Sequence, residues 1–162
     1  MKHLIRTTTL VAAMATAVSA GSMVSDIDVT ADLSAIENHP AAKVWTSLET
    51  DLETALAVQL AGQIAEPDAE GAAEIHVEID SVALASNFEQ ALGVGEWVLK
   101  GDVDIDMADA SKDMRYDLTV SADQLNAYYP EGTDPAVVTV DSDLFYNAII
   151  DAFAGNVASK LK

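Results

Sequence analysis

Carboxylates at every second residue are the chemistry-bearing pattern of this chain. Glu74, His76, Glu78 and Asp80 alternate with Ile75, Val77 and Ile79, and Asp102, Asp104 and Asp106 alternate with Val103 and Ile105. Arg115 and Asp117 continue the alternation around Tyr116 and Leu118. On an extended chain, side chains two apart share a face. These groups therefore belong together on one side of a sheet. Grouped carboxylates attract cations, hold calcium when about six to eight oxygens converge, or move protons when desolvated.

A trial register sharpens the pattern. Pairing Ile79 with Val103, Val77 with Ile105 and Ile75 with Met107 sets Glu78 opposite Asp104 and His76 opposite Asp106. Pairing Ile105 with Tyr116 and Val103 with Leu118 adds Asp117 beside Asp104 and Arg115 beside Asp106. One row, His76, Asp106 and Arg115, is then neutralised. The other, Glu78, Asp104 and Asp117, is the candidate cation-binding row. Like charges directly opposite are mildly destabilising, so salt, Lys100, Arg115 or a cation should screen them. The simpler reading is a solvated acidic face. A flat strand face offers few ligands, and Met107 and Ala108 stand where a calcium loop needs its turn glycine. No specific metal site is assigned.

Catalytic patterns are sparse. The chain has no cysteine, which removes disulfides, thiolate metal sites and cysteine nucleophiles. HExxH, GxSxG and a glycine-rich phosphate loop are absent. Beyond residue 20 there are two histidines, His39 and His76, and one arginine, Arg115, so an anionic substrate lacks the usual clamp. No catalytic residue and no cofactor is assigned.

The elements that must position the acidic face follow from periodicity. Residues 25–33 alternate and read as a strand. Val44, Trp45, Leu48, Leu52, Leu56, Leu60 and Ile64 recur at threes and fours, predicting a helix over 41–64 that ends before Glu66-Pro67-Asp68. Strands are expected at 73–85, 96–107 and 114–121, joined by hairpin connections, with a further short strand at 137–140. Phe145, Ile149, Phe153 and Val157 make the stripe of a last helix, capped by Asp141 or Ser142 and running to about Leu161. The expected fold is α+β: an antiparallel sheet of about four strands, ordered β-α-β-β-β-α, with two helices packed on one face. Val82, Leu84, Phe88 and Val98 break the pattern. Either a bulge near Ser81 turns them inward, or they form an apolar partner-contact patch at one end of the acidic face.

Met1-Lys2-His3-Leu4-Ile5-Arg6, the apolar run Leu10–Val18 and the small residues of Val18-Ser19-Ala20 have the layout of a secretory signal peptide cut after Ala20. Residues 21–162 would then form a single exported domain. The chain has 8 basic and 27 acidic residues, a formal charge of −19. Loss of Lys2 and Arg6, with no acid, makes it −21. Such a surface repels nucleic acid and anionic lipid. No apolar stretch beyond residue 20 approaches the ~20 residues of a membrane span.

The element order strand–helix–three strands–helix behind a leader, with Gly101-Asp102-Val103-Asp104-Ile105-Asp106-Met107 before a turn, resembles small periplasmic and outer-membrane-associated assembly proteins. Auxiliary lipoproteins of lipid-transport systems and the lipopolysaccharide-assembly lipoprotein are of this kind. The resemblance implies an accessory role in the periplasm and no site residue. It departs at the anchor: those proteins carry a lipidated cysteine, and this chain has none. The expected function is that of an exported, soluble, non-enzymatic accessory protein that binds another periplasmic protein. Two alternatives stand beside it: a small-ligand or cation binder using a helix–sheet cleft or the acidic face, and a hydrolase of unrecognised type.

Overall fold

The computed structural model describes residues 22–36, 40–83 and 98–162. Strand β1 (Val24–Ala31) leads to helix α1 (Leu48–Gln59), then to β2 (Ala73–Ala83), β3 (Val98–Asp106), β4 (Met114–Ser121) and helix α2 (Asp143–Ser159). The sheet order is β1-β2-β3-β4. The fold is α+β with a mostly antiparallel sheet, as the periodicity predicts. β2, β3 and β4 form an antiparallel meander, whereas β1 runs parallel to β2. The parallel pair follows from the intervening helix, which returns the chain to the end from which it started.

Each strand buries its apolar residues and leaves the alternate ones toward water. Ile75, Val77, Ile79, Val103 and Ile105 are buried, and α1 and α2 supply Leu48, Leu52, Leu56, Phe145, Ile149, Phe153 and Val157 to the same core. Ser142 caps α2, its Oγ accepting from the Phe145 N–H at 3.2 Å. The two helices pack against each other, and the Tyr146 hydroxyl donates to Asp51 Oδ2 at 2.7 Å across that contact.

The structure departs from periodicity at three places. α1 is shorter than the apolar stripe. Residues Pro40–Lys43 form a 3-10 turn, and Thr46 Oγ1 donates to the Lys43 carbonyl at 3.0 Å, a local bond that competes with helix. Trp45 is buried from the segment between this turn and the helix rather than from the helix itself. At the other end, Gln63 leaves the helix to bond the start of β1: the Val24 N–H donates to its carbonyl at 2.7 Å. Residues 137–140 are not a strand. Asp134 caps a 3-10 turn, Pro135–Val137, that leaves Val137 72% exposed while Val138 and Val140 are buried. The β2–β3 ladder shifts register between Glu78 and Ser81, and this bulge turns Val82 into the core. Opposite the bulge sits Gly101. A Cβ there would lie 2.6 Å from the Glu78 carbonyl oxygen and 2.9 Å from Ile79 Cδ1, so close approach of the two backbones requires glycine.

Candidate functional site

The open sheet face is the candidate site. Asp28 and Thr30 of β1, His76 and Glu78 of β2, Asp102 and Asp104 of β3 and Arg115 of β4 border a shallow, open depression of about 480 Å³. Period-two alternation puts each of them on the side away from the helices.

The ladder arranges these groups in two rows. Asp28, His76, Asp104 and Arg115 are successive partners across the four strands. Arg115 donates from Nη2 to Asp104 Oδ2. His76 lies 4.0 Å from Asp28, 3.8 Å from Glu74 and 4.0 Å from Asp106, and Arg115 brings a cation to this row. In the second row, Thr30, Glu78, Asp102 and Asp117 are successive partners. The neighbouring cation, Lys100, is turned to Asp80, with Nζ 3.3 Å from Oδ2.

Lys100 also acts through space on Asp117 and Asp102, so the second row is partly offset but carries an excess of negative charge. The Asp117 carboxyl beside Asp102, followed by the charge of Asp80, pushes the Asp102 carboxyl above the usual aspartate value. A hydrogen bond from Lys100 to Asp80, and that residue's charge, push the Lys100 ammonium up. These groups stay in water. Their attraction for a cation is long-ranged and screened by salt rather than built into a desolvated pocket.

The observed register differs from the trial register by two residues in both hairpins: Ile75 pairs with Ile105, and Val103 with Tyr116. The faces are as expected, but the partners change. Glu78 and Asp117 do share a row, with Asp102 between them. Asp104, expected in that row, stands one step along, between His76 and Arg115. Asp106 faces Glu74 rather than His76. A two-residue slip preserves every apolar contact class, so alternation cannot detect it. Among the described residues no three His, Cys, Asp or Glu side chains converge closely enough to hold a metal ion.

Of the four residues of the expected contact patch, Val82 is only 3% exposed and lies inside, because the bulge reverses the phase of β2. Val98 pairs with Ala83 and Ser121 in the ladder. Leu84 and Phe88, like His39 and residues 1–20, lie outside the described residues. Periodicity also missed Glu49 and Glu53. From α1 they accept the N–H groups of Ala31 at 2.9 Å and Val29 at 3.4 Å, covering the free edge of β1. Their place in the outward stripe of α1 carried no signal of this role.

No family model matches the chain, and no curated protein matches it in sequence. Among solved structures it is similar to a dodecameric single-residue variant of PelC from Paraburkholderia phytofirmans, at 14% identity over 87% of this chain and 86% of that one, with a TM-score of 0.47. It is also similar to a candidate lipoprotein from Caulobacter crescentus, at 14% identity over 82% of this chain and 88% of that one, with a TM-score of 0.32. At such values the functional reading rests on the chain's own residues. Among those described, no helix is long and apolar enough to cross a membrane.

Proposed function

We propose that this is an exported, non-enzymatic accessory protein that binds another protein, and that the open acidic sheet face is its contact surface for a cationic partner. The observation that carries the reading is the row Glu78, Asp102 and Asp117, three carboxylates in register with no cation in the row. A row with excess negative charge on an exposed face favours a partner that brings lysine or arginine to it, and raises the rate of encounter with one. The basic start, apolar run and small-residue site of residues 1–20 support export with cleavage after Ala20.

The test is affinity capture from the native periplasmic extract at low ionic strength. The protein is compared with a variant carrying Glu78→Gln, Asp102→Asn and Asp117→Asn. A specific basic protein retained by the first, released by salt and absent from the second is the expected result. Equal retention by both would overturn the reading. The intact mass of the exported form should correspond to a start at Gly21.

A further inference from the structure

The two edges of the sheet are treated differently. Along a ladder, successive residues point their N–H and C=O groups alternately toward and away from the neighbouring strand. On β1 the Asp32 N–H, just past the strand, goes inward to the Ile79 carbonyl at 3.2 Å. The outward N–H groups of Val29 and Ala31 are occupied by the Glu53 and Glu49 carboxylates. The Val24 N–H and C=O are bonded to Gln63 and Ala65. That edge is largely closed to a further strand.

On β4 the same alternation turns the N–H and C=O of Arg115, Asp117 and Thr119 away from β3. The next outward N–H in the series, that of Ser121, is accepted by Gln124 Oε1 at 2.9 Å. Among the described residues, no partner takes the other three. Arg115, Asp117 and Thr119 are exposed, so the open edge is accessible from Arg115 to Thr119. Exposed edges of this kind accept added strands. Beside it, between β4 and α2, runs a groove of about 380 Å³ bordered by Leu118, Val120, Tyr128, Gly155 and Asn156. Gly155 keeps the groove floor low: a Cβ there would come within 3.4 Å of the Tyr128 hydroxyl.

We infer that the free edge of β4 takes an extended, lysine- or arginine-bearing segment of a partner protein as a fifth strand. The pairing sets the chemistry of that segment. Its outward side chain opposite Asp117 prolongs the row Glu78, Asp102 and Asp117, with its Cβ about 5 Å from that of Asp117, within reach of a lysine or arginine. Arg115 is turned back onto Asp104, so it does not repel that cation as a free charge would. The side chain on the other face of the added strand lies over the groove, where a small apolar residue fits. A second copy of this chain is disfavoured by its formal charge of −19. The inference rests on the cationic-partner reading above and assigns it a strand-addition mode.

The purified protein is titrated with a short peptide alternating lysine and valine, and with its glutamate–valine counterpart, while amide exchange is followed residue by residue. The lysine peptide should bind, slow exchange at Arg115, Asp117 and Thr119, and lose affinity by about tenfold or more in Thr119→Pro. That variant deletes an outward N–H without touching the β3–β4 ladder. Asp117→Lys, at an exposed position, should reverse the preference to the glutamate peptide. Binding that ignores both substitutions and protects Glu78 and Asp102 instead would overturn strand addition while leaving the acidic-face reading intact. Binding by neither peptide would overturn the inference. So would concentration-dependent dimerisation abolished by Thr119→Pro, which would make a second copy the occupant.

Discussion

Asp102 and Asp117 stand directly opposite each other on β3 and β4, and the proximity of the second carboxyl raises the pKa of the first. The folded state therefore holds this proton more tightly than the unfolded chain. By linkage, the stabilisation is fully present below the ordinary value of 3.8 and is lost as pH rises through the raised folded value. Asp102→Asn should raise the melting temperature at neutral pH and low salt. The gain over the native protein should shrink with added salt and vanish in acid. Thermal melts across pH and ionic strength check this, and a loss of stability at neutral pH would contradict it.

Asp104 should behave oppositely. It accepts from Arg115 and faces His76, so Asp104→Asn removes a partner rather than a repulsion. A loss of about 0.5 kcal/mol at low salt is expected, the usual worth of an exposed ion pair. Chemical denaturation of the two single variants side by side separates the rows.

Gly101→Ala tests the bulge. The added methyl meets the Glu78 carbonyl and Ile79 Cδ1 below normal contact distance. Overpacking of this kind costs about 1–3 kcal/mol. Urea unfolding measures it, and a neutral substitution would mean that the strands separate there at little cost.

The core is expected to answer in the ordinary way. Trp45, Leu52 and Phe153 are fully buried, and Trp45 stands edge-on to Tyr146 at 5.2 Å between centroids. Truncating any of the three to alanine should cost roughly 2–5 kcal/mol. A change below about 0.5 kcal/mol in equilibrium unfolding would place the residue outside the core.

Burial, followed by the bond to Asp51 and that residue's charge, pushes the Tyr146 phenol up. Burial raises Tyr116 and Tyr129 as well. For groups neutral when protonated, the stabilisation is fully present below the unfolded tyrosine pKa of about 10 and is lost as pH rises beyond it. Tyr146→Phe should cost about 1 kcal/mol at neutral pH and should blunt the alkaline loss. Denaturation from neutral to strongly alkaline pH provides the comparison.

Alternation by itself determined which residues of β2, β3 and β4 face the helices and which face water, because burial of Ile75, Val77, Val103 and Ile105 is an area effect indifferent to their exact partners. The α2 stripe and its Ser142 cap were legible for the same reason: both are written in contiguous residues. Partner identity was not. A slip of two residues leaves every side chain on its face, so only the registers of the two hairpins in the folded sheet decided that Asp102 rather than Asp104 joins Glu78 and Asp117. Tertiary contacts also ended α1 early, since Gln63 bonds more usefully to β1 than to another helical turn. They set β1 parallel to β2 and closed its edge with Glu49 and Glu53 from a helix distant in sequence. Those choices depend on which backbone groups remain unbonded once the elements meet, and that accounting exists only in three dimensions.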